Sequence, residues 1–127
     1  MTRSIDIAYR TVPDSEEIGV SIPNPYNLFG CQEPSLKFWR LELWRLELWN
    51  EIGVERLAIL GKCDPIWFSG WGEMALLQRE IRLIHENVSN VEFEREETAK
   101  WLANLTYCHA MLVMSAPKDS VPILTIG

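Results

Sequence analysis

The sequence predicts an α+β fold in which a mostly antiparallel sheet, with N- and C-terminal hairpins, packs against about three helices. Three observations indicate this fold. Alternating or continuous apolar runs mark both ends of the chain, apolar residues at helical spacing occupy the middle, and turn residues separate these segments. A chain of 127 residues can bury one hydrophobic core and is too short for two. We therefore expect a single globular domain over residues 1–127.

The first element is a predicted β-hairpin. SIDIAYR places Ile5, Ile7 and Tyr9 on one face of a strand, and EIGVSI alternates in the same way with Ile18, Val20 and Ile22. The turn residues Val12-Pro-Asp-Ser lie between the two runs. Pro23 and Pro25 then end the second strand and open a loop through Gly30.

A helix and two short strands are predicted next. Ser35 is a typical N-cap for a helix that continues to about Ile52, and Gly53 is a typical left-handed C-cap. The apolar run VERLAIL, residues 54–60, favours a buried strand. A turn at GKCDP precedes IWFS, which we interpret as a short strand or a strand end.

The last elements are two helices and a second hairpin. EMALLQREIRLIHEN repeats Met74, Leu77, Ile81 and Ile84 at helical spacing. A third helix is expected over about residues 94–105, with Trp101 and Leu105 one turn apart. The apolar runs HAMLVMS and VPILTIG flank the turn residues 116–120, so they are predicted to form the closing hairpin.

The pentapeptide RLELW occurs twice in succession, at residues 40–44 and 45–49. Together with Trp39, the repeat places tryptophans at positions 39, 44 and 49, which point in three directions on a helix. Nine of the fourteen residues 36–49 are apolar, so such a helix must be buried on most sides. It is therefore either a central core helix or an interaction surface on which one or two of Trp39, Trp44 and Trp49 face a partner. That partner would be a second copy of the chain, in a homodimer, or a different protein.

Charge and cysteine content restrict the compartment and the partner. The net charge of −6 argues against nucleic acid and anionic membranes as partners. The longest uncharged apolar run, residues 105–117, is too short to span a bilayer, and the N-terminus lacks signal-peptide features. The three cysteines are odd in number and widely spaced, so neither a CxxC pair nor a disulfide framework is predicted. A cytoplasmic protein is expected.

The negative charge is concentrated before the third predicted helix. Residues 86–97 contain five glutamates and only one basic residue, Arg95. Two interpretations stay open. Glutamates stabilise the positive end of a helix dipole, so the segment can be a solvated helix start. Alternatively, the segment is a docking surface for a basic partner, which would use Glu92, Glu94, Glu96 and Glu97.

Catalytic motifs are weak in this sequence. Gly70, Gly72 and Ala75 match the dinucleotide pattern GxGxxA, with Glu94 in the place of a ribose ligand, but too little chain follows to complete a doubly wound sheet. Cys63 follows an apolar run and could be a nucleophile if His85 or His109 served as its base. No recurring spacing of histidines and cysteines indicates a metal site. We predict no cofactor, no metal and no enzymatic activity.

A small acidic domain that is rich in tryptophan and poor in catalytic motifs has the profile of a protein-binding module. With the acidic segment EFEREE, residues 92–97, and the candidate exposed aromatics Trp67, Trp71 and Trp101, it resembles bacterial immunity proteins. The resemblance is one of general type, since immunity proteins share no common fold. It implies a cognate basic toxin, possibly a nuclease, that this acidic chain would neutralise.

Two alternatives to the immunity hypothesis are retained. One is a homodimeric structural or regulatory subunit, whose interface would be the tryptophan-rich helix. The other is a small thiol-dependent enzyme that uses Cys63. The oligomeric state would address the first alternative and thiol reactivity the second.

Overall fold

A four-stranded antiparallel sheet forms the centre of the fold. The computed structural model describes residues 5–11, 16–20, 47–63, 65–90 and 95–126. Its strands are β1 (Ile5–Arg10), β2 (Ile18–Gly19), β3 (Ile66–Ser69) and β4 (Val121–Ile126). Their order is β2-β1-β4-β3, and the pairings within the described residues are antiparallel. With the helices given below, this architecture confirms the predicted α+β class.

One face of the sheet carries the apolar side chains of the core. Cross-strand pairing aligns Ile5 with Ile126 and Ile66, and Ile7 with Leu124 and Phe68. All six side chains are buried. The period-two pattern of β1 and β3 therefore places apolar residues on the inner face and exposes Asp6, Trp67 and Ser69 on the outer one.

Within the described residues, three α-helices accompany the sheet: α1 (Leu48–Ile52), α2 (Trp71–Asn87) and α3 (Arg95–Ser115). Helix α2 contacts β3 and β4, α3 contacts β1 and β4, and the two long helices contact each other. The predicted stripe of α2 is confirmed, because Met74, Leu77, Ile81 and Ile84 are all buried. The core therefore lies between the inner face of the sheet and the pair α2–α3.

The end of the tryptophan-rich segment agrees with the predicted helix. Helix α1 stops at Gly53, whose φ of 86° is left-handed, and Val54 N–H closes the cap by donating to the Trp49 carbonyl. Trp49 is completely buried within this chain, so it belongs to the core and is not available as a dimer contact. Trp39 and Trp44 lie outside the described residues, as do Ser35 and the first part of the predicted helix.

The strand predicted over residues 54–60 is wrong. The chain forms a 3₁₀-helix, Leu57–Gly61, and buries Val54, Leu57 and Leu60 at a spacing of three. The cause is Glu80 of α2. Its fully buried carboxylate accepts hydrogen bonds from the amides of residues 55, 56 and 57, at 3.2, 3.0 and 2.8 Å, and these amides are then unavailable to a sheet.

The predicted C-terminal hairpin is also wrong. Residues 109–115 continue α3, which extends ten residues beyond its predicted end at Leu105, and only Val121–Ile126 forms a strand. No glycine or proline interrupts the chain between Arg95 and Ala116, so nothing local ends the helix before Pro117. Strand β4 instead pairs with β1 on one side and β3 on the other. The N-terminal hairpin is confirmed, although β2 is limited to Ile18–Gly19.

Candidate functional site

Trp67 is the most exposed tryptophan among the described residues. It lies on β3, an edge strand, and its side chain is 56% accessible. Pairing places it in one cross-strand row with Thr125 of β4 and Asp6 of β1, on the outer face of the sheet. The packed helices α2 and α3 cover the inner face, so this indole is presented on the opposite side of the sheet.

A shallow depression of about 230 Å³ lies beside this indole. Trp67, Ile59, Pro65, Ile66 and Arg56 form its walls. Ile59 is 39% exposed, so it adds an accessible aliphatic side chain to the wall of this depression. The depression is therefore an accessible apolar recess with one cationic group at its rim.

An ion pair holds the edge strand at this recess. The Arg56 guanidinium donates to a Glu73 carboxylate oxygen at 2.7 Å and to the Trp67 carbonyl at 2.8 Å, and it lies 5.1 Å from the centre of the Phe68 ring. The other Glu73 oxygen accepts the Ser69 amide at 2.8 Å. Arg56 and Glu73 thereby hold the backbone of β3 at Trp67 and Ser69.

The same contacts protect the free edge of β3. The Gly70 amide donates to the Pro122 carbonyl of β4, and antiparallel alternation therefore turns the amide groups of Trp67 and Ser69 away from β4. The Trp67 carbonyl and the Ser69 amide are then occupied by Arg56 and Glu73. Because two of its outward groups are taken, β3 offers side chains more readily than backbone to a partner.

The surroundings of Glu73 favour the ionised form of its carboxyl group. The hydrogen bond from the Ser69 amide lowers the pKa of its carboxyl below the ordinary value, Arg56 lowers it further, and partial burial opposes both effects. The ion pair with Arg56 is consequently maintained at neutral pH. The side chains of Arg56 and Glu73 are each about two-thirds buried, which limits the screening of this ion pair by salt.

The other predicted aromatic contacts are less accessible than Trp67. Trp71 begins α2, is half-buried, and donates its indole N–H to the Ser120 carbonyl at 2.9 Å. Trp101 is only 5% exposed, so its predicted exposure is wrong. The reason is its position on the inner face of α3, where Leu105 and Cys108 continue the buried stripe.

The structure describes the position of only two of the four acidic candidates. Glu96 and Glu97 lie in the first turn of α3, and their side chains are outside the described set. Glu92 and Glu94 lie outside the described residues altogether. The position at a helix start agrees with both interpretations of these charges, dipole stabilisation and a docking surface.

Cys63 is exposed and lies in the loop that leads to β3. Both histidines are engaged between α2 and α3 instead: His85 Nε2 is 3.1 Å from Thr106 Oγ1, and His109 Nε2 is 3.1 Å from the Met74 carbonyl. Burial lowers the pKa of His109, and the contact with the Met74 carbonyl partly opposes this. Within the described residues, neither imidazole is hydrogen-bonded to Cys63.

The glycine motif has a structural explanation. Gly70 adopts φ 90°, at the corner between β3 and α2, and its conformation favours glycine. The strand before it is an antiparallel edge strand, whereas dinucleotide sites require the end of a parallel strand. Among the described side chains, no three of His, Cys, Asp or Glu meet as a potential metal site. Nor does any described helix combine the length and apolarity needed to cross a membrane.

Sequence reasoning identified Trp67 as a candidate but missed the residues around it. Arg56, Ile59 and Pro65 lie in a segment interpreted as strand and turn. The signal was the spacing of three between Val54, Leu57 and Leu60, which turns Ile59 outwards. A 3₁₀-helix over residues 57–61, had it been predicted from this spacing, would have placed Ile59 beside the start of β3.

Comparison of the chain with protein families, curated proteins and solved structures finds no match. The geometry and the charge of this molecule are therefore the basis for inferring its function.

Proposed function

We propose that this chain is a small acidic protein-binding module, with Trp67 as its main anchor. The observation that carries the proposal is the 56% exposure of an indole beside an apolar recess. Tryptophan is highly buried on average in folded proteins, so an indole with this exposure is a candidate contact residue. Tryptophan is also among the residues that contribute most to protein interfaces.

The recess indicates the kind of contact that the partner makes. Its volume of about 230 Å³ can accept one or two side chains, and Ile59, Pro65 and Ile66 make its walls apolar. The Arg56–Glu73 pair holds the edge strand in place before binding, so little conformational entropy is lost when the partner arrives. A partner that inserts an apolar side chain against Trp67 fits this arrangement.

The net charge of −6 and the glutamates of residues 92–97 favour a basic partner. A cytoplasmic immunity protein, which neutralises a basic toxin of bacterial origin, combines these features, and we propose it as the more specific function. On this proposal, the Trp67 contact slows dissociation of the complex, and the acidic segment, residues 92–97, speeds association.

The test is affinity capture from the native cells with three versions of the chain in parallel. We expect the wild type to retain one predominantly basic protein in stoichiometric amount and Trp67→Ala to lose it. Ile18→Ala is the matched control, because Ile18 is also a large apolar residue, 44% exposed, on the opposite edge strand. It should retain the partner.

Two results would contradict this proposal. If Trp67→Ala captures the same protein as well as the wild type, Trp67 is not the anchor. If the wild type captures no protein and its Cys63 thiol instead reacts much faster than a free cysteine, the thiol-enzyme alternative replaces the binding module.

A further inference from the structure

The outer face of the sheet carries an aromatic ring, a hydroxyl and a carboxylate in one line. Pairing places Trp67 of β3 beside Thr125 of β4, and Thr125 beside Asp6 of β1. We call these three residues the outer-face row. Trp67 and Asp6 are exposed, and Thr125 between them is half-buried. Helices α2 and α3 pack on the opposite face of the sheet, so the row is accessible to a partner.

The spacing of the strands suits the binding of a guanidinium group. Adjacent strands lie about 4.8 Å apart, so the backbones of Trp67 and Asp6 are about 10 Å apart, with Thr125 midway. A guanidinium above Thr125 is then about 5 Å to the side of each neighbour, within the ~6 Å over which an aromatic ring attracts a cation. From the same position it can donate two parallel hydrogen bonds to the Asp6 carboxylate.

The charges near the row also favour a cation from a partner. Arg10, a cation on the same face, lies four residues along β1 from Asp6, about 14 Å away, and it pairs with Glu17 at 3.0 Å. A carboxylate accepts several hydrogen bonds at once, so Asp6 can receive a guanidinium in addition to the contact that it makes within the chain. The net charge of −6 attracts cationic groups to the molecule from a distance.

We propose that the outer-face row binds an arginine side chain of the basic partner. This inference rests on the proposed function for the partner, and it adds the residue that the partner presents. The guanidinium lies against the Trp67 indole and donates to the Thr125 hydroxyl and the Asp6 carboxylate. Lysine fits less well, because its ammonium neither stacks on an indole nor matches a carboxylate with a planar fork of donors.

The arginine and the apolar side chain of the proposed function contact different sides of Trp67. Arg56 donates to the outward carbonyl of Trp67, so the recess lies on the free-edge side of β3. Thr125 and Asp6 lie on the side of β4. One segment of the partner can therefore contact both sides, with the indole between its apolar side chain and its arginine.

Titration with a short peptide tests the inference without the partner. The probe is acetyl-Gly-Arg-Gly-amide, and ¹H–¹⁵N NMR at low ionic strength follows its binding. We expect saturable shifts of the Trp67 indole N–H and of the amides of Asp6 and Thr125. The same peptide with citrulline, the uncharged counterpart of arginine, should leave these signals unchanged, and the lysine peptide should bind more weakly than the arginine peptide.

Two variants separate the contributions of the carboxylate and the ring. Asp6→Asn should raise the dissociation constant of the arginine peptide by about threefold or more, because it removes one charge of an exposed ion pair. Trp67→Leu should raise it by a similar factor, since leucine is apolar but has no ring face. Asp119→Asn is the matched control, because Asp119 is an exposed aspartate in the turn before β4, at the end of that strand remote from Thr125. It should leave binding unchanged.

The inference is overturned if the arginine peptide binds no more tightly than the citrulline or the lysine peptide. It is also overturned if either Asp6→Asn or Trp67→Leu binds the arginine peptide as tightly as the wild type does.

The inference and the proposed function can fail separately. With a captured basic partner, Asp6→Asn should raise the dissociation constant by about tenfold or more. If Trp67→Ala loses that partner and Asp6→Asn does not, the binding module stands and the arginine contact is wrong. If no partner is captured but the arginine peptide binds as expected, the proposed function is wrong and the arginine site stands.

Discussion

At the scale of single residues, Glu80 has a structural role that the sequence pattern does not indicate. It is polar and lies next to Ile81 in the apolar stripe of α2, yet its side chain is completely buried. Three backbone amides of residues 55–57 donate to its two oxygens. A buried charge is tolerated when hydrogen bonds of this kind replace those of water. Glu80 thereby attaches the 3₁₀-helix Leu57–Gly61 to the middle of α2.

We expect Glu80→Gln to lower the free energy of unfolding by about 2 kcal/mol, because the amide nitrogen opposes one of the three N–H donors and the charge assistance is lost. Glu86→Gln is the matched control on the same helix, since Glu86 is exposed, and it should change stability by no more than about 0.5 kcal/mol. Urea denaturation of both variants measures the difference. Equal midpoints for both variants would show that the Glu80 carboxylate does not support the 3₁₀-helix.

At the scale of secondary-structure elements, the ends of helices depend on local conformation more than on packing. Gly53 ends α1 with φ 86°, and a Cβ atom added there would meet no atom within 4 Å. Any loss on substitution therefore comes from the left-handed backbone and not from a clash. The end of α3 depends on local sequence as well, because Pro117 follows its last residue by two positions.

Gly53→Val should consequently destabilise the protein by about 1 kcal/mol or more, because a β-branched residue resists the left-handed conformation. Gly53→Asn should cost clearly less, since asparagine tolerates that conformation best after glycine. Thermal unfolding of the two variants provides the measurement. If valine and asparagine have the same effect, the cap conformation does not govern the stability of this corner.

At the scale of the whole molecule, the net charge of −6 determines how the chain meets a charged partner. Long-range attraction changes the rate of encounter, whereas buried anchors such as the proposed Trp67 contact change the rate of dissociation. The concentration of glutamates in residues 92–97 predicts that the attraction is directed to one side of the molecule.

Replacement of Glu94, Glu96 and Glu97 by lysine brings the net charge from −6 to zero. We expect the association rate with the captured basic partner to fall by about tenfold or more at low ionic strength, and the deficit to shrink as salt screens the charges. Stopped-flow binding at two salt concentrations measures both effects.

The control is the triple replacement of Glu16, Glu51 and Glu55, exposed glutamates in other parts of the chain, which produces the same net charge. It should slow association less than the first variant. If the two triple variants associate equally fast, only the total charge matters and the segment is a solvated helix start.

The sequence by itself determined the elements whose periodicity has a single interpretation. Alternation in β1, the four-residue stripe of α2, the short strand β3 and the cap at Gly53 all follow from local rules of backbone geometry and burial. These elements are enough to establish an α+β class. They also identified Trp67 as one of several tryptophans that could be exposed.

Only the tertiary structure decided the segments in which a short apolar run fits both a helix and a strand. Residues 54–60 became a 3₁₀-helix because Glu80, more than twenty residues away in sequence, occupies their amides. Residues 109–115 fit both a helix and a hairpin strand, and local sequence permits the helix to continue to Pro117; the tertiary structure shows that β4 pairs with β1 and β3 and needs no hairpin partner from this segment. Tertiary packing also decided that Trp67 is exposed and Trp101 is buried. Both residues have apolar neighbours in the sequence. Their exposure depends on which side of the strand or helix faces the core, and a short apolar run does not indicate that side.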